Sequence, residues 1–249
     1  MAHQFIFGTG NIYILPAGSV NPIAVAAIQN ASVDFDGDLK QLFGQSTFPL
    51  DTARGKTKIT GKFEVGQINA DLWNAVFFGQ TVTKNVQTLQ ALNEGPTPIP
   101  ATPFQITATN GATFTQDLGV FNSATGAPLT AIATGTPAAG QYKVSAAGVY
   151  TFSSADNVSG ISVMLNYEYT ATSGKTLAVT NQLMGNIPVF SLHLNNNTKG
   201  KQSLLNLWAC TSSKLQFPFK QDDYGLQSFD FSAQDDGTGR IFNWSTTEG

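Results

Sequence analysis

Two segments decide the fold class: Ala31-Ser32-Val33-Asp34-Phe35-Asp36 and, some twenty residues on, Lys56-Thr57-Lys58-Ile59-Thr60-Gly61-Lys62-Phe63-Glu64-Val65. In the first, Val33 and Phe35 alternate with Asp34 and Asp36; in the second, Ile59, Phe63 and Val65 alternate with Lys58, Thr60, Lys62 and Glu64. A period of two gives each segment one apolar and one polar face, the pattern of a half-buried strand. Lys40 to Gly55, between them, is rich in Gly, Pro and basic residues and reads as a loop. The pair is therefore predicted to be a hairpin with a connection far too long for a tight turn, a device for reaching a neighbour. Asn69 then caps a short helix carrying Leu72, Trp73, Val76 and Phe77, with Asp71 in its first turn and Gly79 placed to end it.

Outward from this block the chain stays β-prone. Ile187 to Leu194, Ser203 to Ala209, Leu226 to Ala233 and Arg240 to Ser245 read as strands, with turns at Asn195-Asn196-Asn197 and at Asp235-Asp236-Gly237-Thr238-Gly239. Phe229 and Phe231 alternate with Ser228, Asp230 and Ser232, so one face packs inward and the other meets water or a partner. From Thr81 to Thr172 the composition shifts: two lysines and four acids stand in a background of Thr, Ala, Gly, Pro and Ser. Glu94-Gly95-Pro96-Thr97-Pro98-Ile99-Pro100 reads as an extended linker, because proline can continue neither a helix nor an inner strand. Beyond it, short β runs over 104–109, 117–121, 141–145, 149–152 and 161–170 are separated by turn signals such as Asn110-Gly111 and Ala147-Gly148. The fold class is mainly β: a sandwich or barrel-like core from 1–95 and 173–249 with one short α-helix, and a small all-β module inserted at 96–172.

At 249 residues the chain can bury a sizeable core. Charged residues make up 12%, about half the usual share of about 25%, so much of the polar surface is expected to meet other subunits. A net charge of −3 argues against a protein built to grip nucleic acid, and is compatible with one that lets it slide past. The single cysteine, Cys210, rules out an internal disulfide and suits a reducing cytosol. Met1-Ala2-His3-Gln4 lacks the basic region and apolar run of a secretory signal, and no stretch approaches the roughly 20 apolar residues of a membrane span. The Asn-x-Ser/Thr triplets at Asn30, Asn157, Asn196 and Asn243 are then chance matches in an Asn/Ser/Thr-rich chain.

Catalytic and ligand motifs fail on inspection. The Gly-Lys pairs at Gly55, Gly174 and Gly200 have Leu50, Tyr169 and Asn195 where a phosphate loop needs its first glycine. Gly8-Thr9-Gly10 has Tyr13 where a dinucleotide fingerprint needs its third. Asp34-Phe35-Asp36-Gly37-Asp38 could offer alternate carboxylates to calcium, but Leu39 and Gln45 replace the glycine and glutamate such a loop requires, and the polar face of a strand is preferred. With only His3 and His193, a histidine metal site is not expected. A Ser/His/Asp triad through His193 stays open in sequence alone, yet no Gly-x-Ser-x-Gly elbow accompanies it. No enzyme activity and no cofactor are expected.

The opening Phe7-Gly8-Thr9-Gly10-Asn11-Ile12-Tyr13, the run Leu42-Phe43-Gly44-Gln45-Ser46-Thr47-Phe48-Pro49 and the run Ala53-Arg54-Gly55-Lys56-Thr57-Lys58-Ile59-Thr60-Gly61-Lys62 carry a resemblance. Gly140-Gln141-Tyr142 and Gly148-Val149-Tyr150-Thr151-Phe152-Ser153 extend it. The chain resembles the tail tube (major tail) proteins of tailed bacteriophages. The resemblance implies a structural virion protein, assembled in the host cytoplasm, whose hexameric rings stack into a hollow tail tube for genome ejection. Its implied partners are further copies of itself and other tail proteins, namely a baseplate or tip, a terminator, a tape measure and, in a contractile tail, a sheath. DNA would pass without specific binding, and no membrane is involved.

Candidate site residues follow from this expectation. Lys40, Gln45, Phe48, Pro49, Asp51, Arg54 and Lys56 form the candidate inter-ring loop. Asp34, Asp36, Lys58, Thr60, Lys62, Glu64 and Asp230, on polar strand faces, are the candidate channel lining. The basic loop could contact phosphates, dock on acidic segments of the next subunit at Asp222-Asp223 or Asp235-Asp236, or simply be solvated; the resemblance favours docking. The reading from a different class is a receptor- or carbohydrate-binding β module of a virion or cell surface, acting through residues 96–172.

Overall fold

The computed structural model describes residues 5–8 and 10–247. Chain order gives β1 (Asn11–Pro16), β2 (Ile23–Val25), β3 (Ile28–Phe43), β4 (Pro49–Val65), helix α1 (Ala70–Trp73), β5 (Val82–Lys84), β6 (Gln87–Pro98), β7 (Gln105–Thr107), β8 (Phe114–Asn122) and β9 (Thr130–Ala131). There follow β10 (Gln141–Val144), β11 (Val149–Phe152), helix α2 (Ser154–Val158), β12 (Ser162–Ala171), β13 (Lys175–Leu177), β14 (Phe190–Thr198), β15 (Lys201–Gln216), β16 (Gln227–Gln234) and β17 (Phe242–Thr246). The protein is mainly β, and none of its sheets closes into a barrel. No helix is long and apolar enough to cross a membrane.

Two compact units divide the chain, Met1–Val82 with Leu177–Gly249, and Thr83–Thr176. The sequence reading places the insert at 96–172, after the segment taken as a linker, although composition shifts already at Thr81; β6 groups with the second unit because it pairs along its length with β12. In the first unit an open sheet runs β2-β1-β14-β15-β16-β4-β3, with β17 also on β15. Its core face is written by alternation: Ile12 and Ile14, Phe190 and Leu192, Phe63 and Val65, Phe229 and Phe231 are all buried. Gly61 is required there, since a Cβ at that position would lie 2.4 Å from Phe231 Cζ and 2.5 Å from the Ser32 carbonyl oxygen. Helix α1 covers this core with Leu72, and a π-helical turn, Asn74–Phe78, adds Val76. Asn69 Oδ1 accepts from the Asp71 and Leu72 N–H groups, and Gly79 ends the turn in the left-handed conformation, as the sequence predicts.

In the second unit, a three-stranded sheet, β6-β12-β8, and a four-stranded one, β7-β11-β10-β9, enclose Val120, Tyr142, Tyr150, Val163, Leu165 and Tyr167. Its phenols end on carboxylates. Tyr142 and Tyr150 donate to Asp117 at 2.5 and 3.0 Å, and Tyr167 donates to Glu94 at 2.5 Å.

Four expectations are corrected. Lys40 to Gly55 is not a loop: β3 runs to Phe43, β4 begins at Pro49, and the connection is only Gly44 to Phe48. Its strand character is invisible in sequence because neither face is buried, so no period of two is imposed. Glu94-to-Pro98 is not linker but the end of β6, an edge strand whose free side tolerates prolines. Asn195-Asn196-Asn197 lies inside β14, and the hairpin turns instead at Lys199-Gly200, where φ is +53° and +79°. The inserted module is not all-β: Ser153 caps α2 by accepting from the Ala155 N–H, a Ser-x-x-Asp start that went unread.

Candidate functional site

The β3–β4 hairpin is a stem and an arm. Along the stem, Ile59 to Val65 pair with β16 on one side and with β3 on the other. Beyond Ile59 no third strand joins, so Gly37 to Phe43 and Pro49 to Thr57 form a two-stranded ribbon projecting from the sheet. Lys40, Gln45, Phe48, Pro49, Asp51, Arg54 and Lys56 all lie on this ribbon or at its tip. Lys40 is tied to Asp38 at 2.6 Å, and Asp51 Oδ1 accepts from the Thr52 N–H. What sequence reading missed is the ribbon's apolar content: Leu39, Leu42, Phe43, Phe48 and Leu50 are each more than half exposed. The signal was present as four of these large apolar residues, Leu42, Phe43, Phe48 and Leu50, within the Lys40-to-Gly55 segment classed as a basic loop, with Leu39 just before it.

The candidate lining residues are gathered on one surface. Asp34 stands across from Thr60, Asp36 from Lys58, and Asp230 from Lys62, while Glu64 lies opposite Ser228. Since residues in register share a sheet face, Asp34, Asp36, Lys58, Thr60, Lys62, Glu64 and Asp230 occupy the face of β3, β4 and β16 opposite the core. Lys214 of β15 joins them across from Asp230. Lys58 pairs with Asp36 at 3.4 Å and Lys62 with Glu64 at 2.7 Å. The Lys62 ammonium is held above its ordinary value by its hydrogen bond to Glu64, by that carboxylate's charge and by Asp230. The face is thus mixed in sign, with each cation beside an acid, and offers a polyanion no continuous basic track. Among the described residues no group of three His, Cys, Asp or Glu is placed to hold a metal.

The two acidic candidates sit at opposite ends of the sheet. Gln216 pairs with Ser228, so the β15–β16 connection carrying Asp222 and Asp223 lies at the end away from the arm. Asp223 is lowered by a hydrogen bond from Lys220, at 3.0 Å, and by the Tyr224 N–H. Asp235 and Asp236 follow the other end of β16, on the arm side. They are consumed locally: Asp235 accepts from the Gly237 and Gly239 N–H groups. Asp236 accepts from Thr238 and from Arg240, which holds its carboxyl well below the usual range, and it has little acceptor capacity left for a partner.

His193 is bracketed: its Nδ1 lies 2.7 Å from Asn206 Oδ1 and its Nε2 3.3 Å from Ser191 Oγ. With Asn206 as acceptor the proton sits on Nδ1, and Nε2 faces the serine, the order of a nucleophile, base and orienting group. Ser191, however, is inside a strand paired with β1 rather than on an exposed elbow. Ser191 and Asn206 were not singled out from sequence, because the array forms only when β14 and β15 pair. His3 lies outside the described residues.

Compared with known proteins, the chain matches no family model, and no significant match is found among curated proteins.

Proposed function

We propose that this chain is the repeating subunit of a tail tube, a structural virion protein whose rings stack into a conduit for the genome. The observation that carries the proposal is the joint placement of arm and face. A two-stranded ribbon with exposed apolar residues projects from the strands whose other face gathers the mixed-charge residues. An exposed apolar ribbon with unpaired edges is unstable in isolation and is satisfied by another copy. The sheet's open edges, β2 and β3, allow lateral joining into a ring, and a ring joined this way turns one continuous polar face inward. Acids beside every lysine on that face leave transiting DNA no phosphate clamp.

In this reading the arm reaches across a ring boundary, and of the two acidic candidates Asp222-Asp223 is the one at the receiving end. The subunit performs no catalysis and holds no cofactor. It meets copies of itself and, at the ends of the tube, other tail proteins. Electron microscopy and sedimentation of the purified chain at increasing concentration test this directly. Rings and tubes are expected, with no retention of duplex DNA at moderate salt; a strictly monomeric protein, or tight salt-sensitive DNA binding, overturns it.

A further inference from the structure

We infer that a groove at the base of the arm is the socket for an aromatic knob on the opposite end of a second copy, the 217–226 connection. This rests on the proposed tube. The groove has a volume of about 510 Å³ and is lined by Val33 and Phe35 of β3, Leu194 of β14, Leu205 of β15 and Trp244 of β17. It is an unfinished end of the core. Phe35 and Trp244 remain 53% and 62% exposed although Phe35 already meets the Phe242 ring edge-on at 5.2 Å.

The knob is the β15–β16 connection, where Phe219 is 98% and Tyr224 86% exposed. Within one copy knob and groove cannot meet. Trp244 pairs with Leu205, and the connection begins after Gln216, eleven residues along the same strand, or roughly 36 Å at about 3.3 Å per residue. A patch at one end that fits a patch at the other is a heterologous contact, and repeated translation of it builds a filament rather than a closed dimer. Charge agrees with the pairing: between Phe219 and Tyr224 the knob carries Asp222 and Asp223 against the single Lys220, a net negative segment, while Lys199 and Lys201 line the adjoining cavity, which shares Ile6 with the groove. An aromatic anchor entering a largely apolar groove, with complementary charge beside it, is the usual anatomy of an interface hot spot.

The test is a cysteine pair, Phe219→Cys with Trp244→Cys, in the full chain. The sole native thiol, Cys210, is fully buried. A disulfide needs Cα atoms within about 7 Å, so mild oxidation should yield a ladder of covalent multimers on denaturing gels. Each single variant should stop at or below a dimer. Phe219→Ala and Trp244→Ala should each raise the concentration needed for stacking by roughly tenfold or more while leaving single rings in place. Tubes that form without a ladder, and that tolerate both alanines, overturn the knob and socket and leave the tube standing. Absence of rings and tubes in the unmodified protein overturns the tube, and this inference with it.

Discussion

The two units of the chain solve the same problem in opposite ways. In the second, between Thr83 and Thr176, each buried polar group named here is answered from within: the Tyr142 and Tyr150 hydroxyls by Asp117, Tyr167 by Glu94, Asp156 by the Gly140 N–H, and Asn166 by Asn93 and Gly119. In the first, Trp73 Nε1, Asn195 Oδ1 and Gln227 Oε1 are buried with no partner, and the large exposed apolar side chains concentrate there, on the arm and at both ends of the sheet. One unit is finished by its own residues. The other leaves these three buried polar atoms unanswered and carries most of the large exposed apolar side chains.

The contrast can be broken by mutations that report on one unit at a time, since Trp73, Trp208 and Trp244 all fall in the first unit, and Tyr142, Tyr150 and Tyr167 in the second. The largest effect is expected from Phe229→Ala. Its ring is fully buried and stacked on Phe63 at 5.0 Å, so removing it should cost about 3–5 kcal/mol. The tryptophan fluorescence transition in denaturant should shift accordingly, with tyrosine signals of the second unit little moved. A matching shift in both signals would mean the units unfold as one.

Tyr150→Phe should cost less, about 1–2 kcal/mol, by removing one of the donors to Asp117 while the ring stays packed. Here the tyrosine signal should shift and the tryptophan signal should not. The same cluster predicts a pH effect. Burial, with Asp117 as hydrogen-bond partner and neighbouring charge, raises the Tyr142 and Tyr150 hydroxyls above the ordinary value of 10.0, and burial with Glu94 does the same to Tyr167. A group whose value is higher folded than unfolded contributes stability that is complete below the unfolded value. The second unit should therefore hold its full stability up to about pH 10 and lose it as pH rises further. Phenolate absorbance from these three rings should appear only together with loss of near-ultraviolet dichroism; free titration in the native state would contradict their enclosure.

The smallest stability change, within about 0.5 kcal/mol, is expected from the pair Leu42→Ser and Phe48→Ser at the exposed arm tip. Yet this pair should weaken self-association more than either core change that still folds. If sedimentation shows no difference from the unmodified chain, the arm is not the contact and the openness of the first unit needs another explanation.

Much of the stem was legible because burial on one side forces a period of two. Ile59, Phe63 and Val65, Phe229 and Phe231, and the cap at Asn69 were all read correctly from residue type and spacing. The arm was not, because a ribbon exposed on both faces carries no period; its register comes from cross-strand pairing alone. The Asn195-Asn196-Asn197 run misled for a related reason. Turn-prone residues can sit in a strand when a glycine further on supplies the turn, and here Gly200, at φ +79°, takes the left-handed conformation without a side-chain penalty, with Lys199 beside it at +53°.

The sequence by itself determined that this protein is mainly β, which strand faces are apolar, where its principal helix begins and ends, and that its charge is sparse, with 12% charged residues and a net charge of −3. Tertiary structure alone decided that seven polar residues from three strands share one face, that Asp222-Asp223 and Asp235-Asp236 lie at opposite ends, and that Ser191, His193 and Asn206 meet. The physical reason is that alternation is a local consequence of burying one side of a strand, whereas register and strand order depend on pairing between segments far apart in the chain, which no local pattern encodes.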